Sequence, residues 1–351
     1  MSDSLRDLDF RRVGIVMMSA VGDAVHALPV VNAIRRHRPG AKISWVLQPG
    51  PATLVRGHPA VDEILEFERG RGWRAFADIR RRLRDREFDL VIDLQVYFKA
   101  GIVTSFARAP IKLGFDRARA RDFNWLFTNR RIPPHQPQHV QEQYFEFLTA
   151  LGIPSDPVVW GLGPWPEERD WQREFFERID RPAAAIVVGT SKAEKDWMPE
   201  RWAQVVDGLY TDFGLRAVLV GGTTEREVAA AATIESLASH TPINALGSGL
   251  RRLVSILDGS ALVLSPDTGP LHMAVALERP VISLIGYMNP KRVGPYRRYQ
   301  DLLIDAFGDP GEVYPITMEK RPGRMERISV RDVLNRAQIW RERYATAPRS
   351  D

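Results

Sequence analysis

Three short polar segments in the second half of the sequence each follow an apolar run that is typical of a buried strand. They span residues 189–197, 221–225 and 265–272. Their serines, threonines, lysines and acidic residues can hold phosphate oxygens and sugar hydroxyls. In open α/β folds, ligands bind at the edge of the sheet where the parallel strands end. Together the segments predict a binding site for an anionic ligand.

The third segment carries Ser265, Asp267, Thr268 and His272 in the turn between a predicted strand and a helix. Asp267 and Thr268 are good N-cap residues, and Gly269 lets a ligand approach the backbone closely. The helix N-terminus that follows presents unpaired N–H groups to an anion. An ordinary capped helix in a Rossmann-like domain explains the same residues, and both interpretations stay open.

In the first segment, the hydroxyls of Thr190 and Ser191 can bind phosphate, and Lys192 and Lys195 can neutralise it. The GxxxxGK[ST] pattern of a P-loop is absent from this sequence. In the second segment, Glu225 follows two glycines and is placed to accept hydrogen bonds from ribose hydroxyls. A polar surface loop is the alternative for either segment taken alone.

The first half of the chain offers a candidate general base. Asp23 lies in the motif SAVGDAVHALP, after an apolar run and at the start of a helical pattern. The helix dipole favours its ionised form, which suits a base that takes a proton from an attacking hydroxyl. An N-cap aspartate is the alternative. Other polar side chains of this half could face an anionic acceptor: Asp93, Gln95, Lys99, Arg119, Arg121 and His139.

The positive charge of the chain is concentrated in its first half. Residues 1–160 contain 24 Lys and Arg against 18 Asp and Glu, whereas the whole chain carries a formal charge of +5. This surplus predicts an anionic partner, such as a phosphorylated glycan, a nucleic acid or an acidic membrane face, unless these side chains are merely solvated. The sequence contains no nucleic-acid-binding motif, no metal-site motif and no apolar run of membrane-spanning length. The absence of cysteine fits a reducing cytosol.

Strand and helix patterns alternate along the chain, which predicts an α/β fold with doubly wound parallel sheets. Strands are expected at residues 13–17, 42–47, 90–94, 184–188, 217–220, 261–264 and 281–284. Helices are expected at 24–37, 73–83, 141–151, 200–213, 225–239 and 250–257. The Pro/Gly-rich residues 152–166 are interpreted as a linker. We expect Rossmann-like domains at 1–160 and 161–328 that face each other across a cleft. A last helix is expected within 329–351, for which packing back on the first domain is one possibility.

Three segments together resemble the bacterial heptosyltransferases of glycosyltransferase family 9. They are SAVGDAVHALPVVNAIRR (19–36), GTSKAEKDWMPERWAQVV (189–206) and SPDTGPLHMAVALERPVISLIG (265–286). The resemblance implies a GT-B fold, in which the first domain binds the acceptor and the second binds the sugar nucleotide. It also implies transfer of heptose from ADP-L-glycero-D-manno-heptose to the lipopolysaccharide inner core. That transfer would invert the anomeric carbon and need neither a metal ion nor another cofactor.

Matched position by position, the resemblance makes Asp23 the general base. The residues that it assigns to donor binding are Thr190, Ser191, Lys195, Glu225, Asp267, Thr268, Gly269 and His272. The acceptor would be Kdo–lipid A or a first heptose, and the residues assigned to it are Lys99, Arg119 or Arg121, and His139. Met198 departs from the family pattern, which usually has Trp-Pro directly, and residues 287–327 are not matched.

The implied partners are the ADP-heptose donor and the lipopolysaccharide core or lipid A acceptor, without nucleic acid. The implied location is the cytoplasm, with peripheral contact at the inner membrane face left open. Two alternatives also stay open. One is a relative that uses another nucleotide sugar or a protein acceptor, and the other is a sugar-nucleotide-binding module without catalysis.

Overall fold

A computed structural model of the chain describes residues 5–345. The chain divides into two compact units. The first contains residues up to Gln136 together with Val140–Leu162, and the second contains Pro137–His139 together with residues from Gly163 onward. Within residues 5–345, no helix combines the length and the apolar character needed to cross a membrane.

The first unit is built on a six-stranded parallel sheet in the order β3-β2-β1-β4-β5-β6. Its strands are β1 (Arg12–Val16), β2 (Lys42–Leu47), β3 (Glu63–Glu66), β4 (Leu90–Asp93), β5 (Ile111–Gly114) and β6 (Arg130–Arg131). Its helices are α1 (Val21–His37), α2 (Pro49–Val55), α3 (Trp73–Arg84), α4 (Phe98–Phe106) and α5 (Val140–Ala150). The strand order reverses between β1 and β4, which is where open α/β sheets bind ligands.

The second unit repeats this plan with the sheet order β12-β11-β10-β7-β8-β9. Its strands are β7 (Ala183–Val187), β8 (Arg216–Val220), β9 (Ile243–Asn244), β10 (Leu262–Pro266), β11 (Val281–Ile285) and β12 (Leu303–Asp305). Its helices are α6 (Arg169–Glu177), α7 (Pro199–Phe213), α8 (Glu225–Leu237), α9 (Leu250–Gly259), α10 (Gly269–Ala276), α11 (Pro290–Val293) and α12 (Val330–Arg343). Here the order reverses between β7 and β10.

The strands predicted from the sequence are long apolar runs, and the structure explains why they were recognisable. Every residue of β7, β10 and β11 is buried. Parallel strands with both faces covered by helices lose the polar alternation of exposed strands and become continuous apolar runs. The predicted strands all form, with ends shifted by at most two residues.

The last helix, α12, packs within the second unit. Its residues Val333, Ala337 and Trp340 belong to the core of that unit. The indole N–H of Trp340 donates to the carbonyl oxygen of Ala261 just before β10, at 3.1 Å. Up to residue 345 this helix therefore belongs to the core of the second unit, and its packing against the first domain stays a prediction.

Candidate active site

Asp23 lies in the first turn of α1, after the end of β1 at the reversal point of the first sheet. One carboxylate oxygen accepts from the backbone N–H of Ala20 (2.8 Å), and the other accepts from the hydroxyl of Tyr144 (3.2 Å). The alternative was that Asp23 is the N-cap residue, but Ala20 holds that position, and Asp23 caps the helix from its third residue by accepting from the Ala20 N–H. The half-buried carboxylate is thus held from two sides at the ligand-binding edge of the sheet.

The loop that precedes Asp23 is fixed by Gln95, which follows β4. The side-chain amide of Gln95 donates to the carbonyl oxygen of Ser19 (2.7 Å) and accepts from the backbone N–H of Met18 (2.9 Å). Gln95 therefore joins the two strand ends that flank the reversal point. Gln95 positions the loop, whereas the sequence analysis expected this side chain to face an anionic acceptor.

Asp93 is also a structural residue. Its carboxylate is fully buried and accepts from the hydroxyl of Thr104 and the side-chain amide of Asn124, both at 3.0 Å. Burial raises the pKa of Asp93 to about 7, although these hydrogen bonds oppose the shift. The expectation that Asp93 faces an anionic acceptor is therefore wrong, because the carboxylate lies inside the first unit.

The predicted acceptor-binding cations differ in their exposure to solvent. Lys99 at the start of α4 and Arg121 are exposed. Arg119 is largely buried and forms ion pairs with Asp116 and, at 2.6 Å, with Glu146. Of the two arginines offered for the acceptor, Arg121 is the one whose side chain faces water.

His139 was predicted in the first domain, but it lies with the second unit. Its Nε2 atom is 3.0 Å from the carbonyl oxygen of Gly294, and its ring lies 5.0 Å from that of Tyr296. Its assignment to the acceptor stays a prediction, now for a side chain that groups with the second unit.

In the second unit, the first and third polar segments meet at the reversal point of the sheet. The ammonium of Lys195 donates to Asp267 at its carboxylate (2.6 Å) and at its backbone carbonyl oxygen (3.3 Å). Both side chains are largely buried. This ion pair joins the loop after β7 to the loop after β10, as the convergence of strand ends predicts.

Thr190 holds the loop after β7 in shape. Asp196 accepts from both the backbone N–H (2.7 Å) and the hydroxyl (2.8 Å) of Thr190. Arg226 pairs with Asp196 at 2.6 Å and donates to the carbonyl oxygen of Thr190. The hydroxyl of Thr190 also lies 2.7 Å from the carbonyl oxygen of Lys192, so both donors of Thr190 are engaged within the loop. Ser191 and Lys192 are exposed.

The carboxylate that organises the second polar segment is Glu227, not Glu225. Glu227 accepts from the backbone N–H of Gly222 (2.8 Å) and from the backbone N–H (3.1 Å) and hydroxyl (2.7 Å) of Thr224. Burial favours the neutral form, yet these hydrogen bonds outweigh it and lower the pKa of Glu227. Glu225 is exposed in the first turn of α8.

The third segment leads into α10. Thr268 is the N-cap residue, yet within residues 5–345 its hydroxyl caps no helical N–H, and Gly269 and Pro270 open the helix. His272 is buried in the first turns. Burial, together with the positive charges of His139 and Lys195, lowers the pKa of His272 to about 3. The imidazole is therefore neutral near pH 7.

Comparison with known proteins assigns the fold and the class of enzyme. The sequence profile described as "Glycosyltransferase family 9 (heptosyltransferase)" matches residues 76–309. The chain belongs to glycosyltransferase family 9. The lipopolysaccharide core heptosyltransferase OpsX of Haemophilus influenzae is 30% identical to it over 329 residues, which cover 91% of this chain and 94% of that protein. Lipopolysaccharide heptosyltransferase 1 of Escherichia coli K12 is 30% identical over 304 residues, covering 82% and 92%.

A solved structure agrees with this assignment. The E. coli heptosyltransferase WaaC with ADP superposes with a TM-score of 0.73 and 26% identity, covering 96% of this chain and 100% of that one. The predicted GT-B fold and the predicted glycosyltransferase class are confirmed.

Sequence analysis of this family 9 glycosyltransferase missed three residues that shape the site. Glu227 had a visible signal, since Thr224-x-x-Glu227 is the pattern of a capping box at a helix start. Arg226 and Tyr144 had none, because their partners lie 30 and 121 positions away in the chain. Within residues 5–345, no group of three or more His, Asp and Glu side chains is arranged to hold a metal ion.

Proposed function

We propose that this enzyme transfers heptose from ADP-L-glycero-D-manno-heptose to the lipopolysaccharide inner core, with inversion and without a metal ion. The contact between Lys195 and Asp267 at the reversal point of the second sheet carries the proposal. It supports a donor site because that edge binds ligands in open α/β sheets. The relatives named above are lipopolysaccharide heptosyltransferases, and the similar solved structure contains ADP.

The leaving ADP needs positive charge. The ammonium of Lys195 has three donors, and Asp267 receives two of them, so one is available for a diphosphate oxygen. The N-terminus of α10, with the Thr268 hydroxyl beside it, adds backbone N–H groups and a favourable dipole. The neutral His272 supplies a hydrogen bond rather than charge. Gly269 and Ser191 belong to the same donor site, and Thr190 supports it by shaping its loop.

The acceptor half of the reaction is assigned to the first unit. Asp23 takes the proton of the acceptor hydroxyl as its oxygen forms a bond to the anomeric carbon of heptose. The bond from that carbon to the diphosphate oxygen breaks on the opposite face, and ADP carries away the electron pair. Such general-base assistance contributes about 10²–10⁴-fold to the rate. Tyr144 and the Ala20 N–H hold the carboxylate in place, and Lys99 and Arg121 are proposed to meet acceptor phosphates.

A donor and acceptor screen tests the proposal. Purified enzyme is incubated with ADP-heptose, or with ADP-, UDP- and GDP-hexoses, and with Kdo–lipid A or a heptosylated core, and the products are identified by mass spectrometry. Heptose transfer from ADP-heptose, undiminished in EDTA, is the expected result. Transfer only from another nucleotide sugar would assign a different donor. ADP binding without turnover of any donor would indicate a sugar-nucleotide-binding module without catalysis.

The proposal also includes a cytoplasmic location with peripheral contact at the inner membrane face. Fractionation of cells checks it: the enzyme is expected in the cytoplasmic fraction, and a part of it is expected with inner membranes at low salt.

A further inference from the structure

A cavity of about 940 Å³ opens in the first unit at the end of the sheet opposite Asp23. Its lining includes the first residues of three neighbouring strands, Arg12, Lys42 and Glu63. Asp23 follows the other end of β1, and a five-residue strand is about 13 Å long at 3.3 Å per residue. The cavity is therefore distinct from the edge that carries the proposed general base.

One wall of the cavity is a face of α3. Ala77, Arg80, Arg81 and Arg84 line it, and because each lies three or four residues from two of the others, they share one side of the helix. The neighbouring side, with Ala75, Ile79 and Leu83, is buried against the unit. Because Ala77 is small, three guanidinium groups dominate this wall.

Three lining arginines are balanced by carboxylates. Arg12 pairs with Glu87 (3.1 Å) and Asp89 (2.8 Å), Arg86 with Glu63 (2.9 Å) and Arg81 with Asp78 (2.7 Å). These pairs account for two of the three carboxylates that line the cavity, Glu63 and Glu87, and leave Asp85.

Four further lining cations have no ion-pair partner within residues 5–345: Lys42, Arg80, Arg84 and Arg108. The dipole at the end of α3 explains cations in its last turn, such as Arg84. It does not explain Lys42 at the start of β2 or Arg108 before β5. Four cations from three parts of the chain thus surround one cavity, and Asp85 is the one lining carboxylate left to balance their charge. Like charges placed so close together repel one another.

We propose that this cavity binds a phosphate-bearing anion, either a free oligophosphate or the phosphate of an anionic lipid headgroup. Guanidinium groups match phosphate oxygens in geometry as well as charge. The volume lies in the range of small-molecule sites and accommodates several phosphate groups. Binding relieves the repulsion between the cations, so the anion also stabilises the folded unit.

The test compares the double variant Arg80→Gln/Arg84→Gln with the control Arg74→Gln/Arg82→Gln. The control removes the same charge from exposed positions of the same helix that do not line the cavity. Binding of inorganic tripolyphosphate is measured by calorimetry with saturating ADP present, so that the proposed donor site is occupied. Binding to vesicles of phosphatidylglycerol with phosphatidylcholine is measured by flotation.

We expect the wild type and the control to bind one of the two probes, and the cavity variant to bind it at least tenfold more weakly. If the cavity variant loses affinity for tripolyphosphate, the ligand is a free phosphate compound. If it loses affinity only for the vesicles, the ligand is a lipid headgroup. Equal losses in both double variants, or no binding of either probe by the wild type, overturn the proposal. A cooperative circular dichroism melt without ligand at or above the wild-type Tm, together with unchanged ADP affinity, shows that the variants are folded.

Discussion

Glu227 provides the sharpest test of how the second unit builds the loops of the proposed donor site. Glu227→Ala removes the acceptor of three hydrogen bonds, two from backbone N–H groups and one from the hydroxyl of Thr224. Each donor left without a partner costs about 1–3 kcal/mol when buried. These bonds are only partly buried and water can replace some of them, so we expect a loss of about 2–3 kcal/mol.

That loss is large enough to measure by thermal denaturation. For a unit of this size, 1 kcal/mol shifts Tm by about 2–4 °C, so Glu227→Ala is expected to melt about 4–12 °C below the wild type. Because the loop after β8 loses its anchor, calorimetry is expected to show ADP binding weakened by about tenfold.

Glu225→Ala is the matched control. Glu225 is exposed two positions away on the same helix, so its removal should change stability by less than about 0.5 kcal/mol. If Glu225 contacts the ribose, as the family resemblance implies, this variant loses ADP affinity without losing stability. A Glu227→Ala protein that melts within 1 °C of the wild type would refute the reasoning.

Three further predictions concern single side chains. Lys195→Ala should weaken ADP binding at least tenfold by calorimetry, whereas Lys192→Ala, at an exposed position, should change it less than threefold; equal effects contradict the assignment. Arg119→Gln should lower stability by about 1–3 kcal/mol because it leaves two carboxylates without their cation, whereas Arg121→Gln should keep the wild-type Tm and raise the KM for the acceptor. Asp93, whose pKa is raised by burial to about 7, keeps a proton in the folded state that the unfolded state loses above about pH 4. The free energy of unfolding should therefore fall by up to about 1.4 kcal/mol per pH unit from pH 5 to 7. Urea denaturation of Asp93→Asn should show no such decrease. The same decrease in the variant would exclude Asp93 as the titrating group.

The fold could be predicted because its main strands are buried on both faces and form continuous apolar runs. The short edge elements were missed for the same physical reason. The strands β6 and β9 have two residues each, and those of β6 are exposed, so no apolar pattern marks them. Their pairing depends on the neighbouring strand rather than on their own residues.

The candidate site was predicted in part. Topology alone brings Lys195 and Asp267 together, since they follow neighbouring strands of a parallel sheet. The roles of Asp93 and Arg119 could not be derived, because a polar residue near a strand end can face either a ligand or a buried partner. Only the positions of Thr104, Asn124 and Glu146 decide between the two, and these are set by tertiary packing.

The charge of residues 1–160 predicted an anionic partner, and the structure offers a second place where such a partner could bind. Part of the positive surplus lies around the cavity at the far end of the first sheet, not at the edge that carries Asp23. Net charge reports the sign of a partner but not its place, because distant positions in the sequence contribute to one surface.

The central claim is that Asp23 activates the acceptor hydroxyl, and the most direct measurement is heptose transfer by Asp23→Ala beside its affinity for ADP. The account predicts that transfer falls by about 10²-fold or more while calorimetry gives the wild-type ADP affinity. A variant that binds ADP normally and keeps more than a tenth of the wild-type turnover would contradict it.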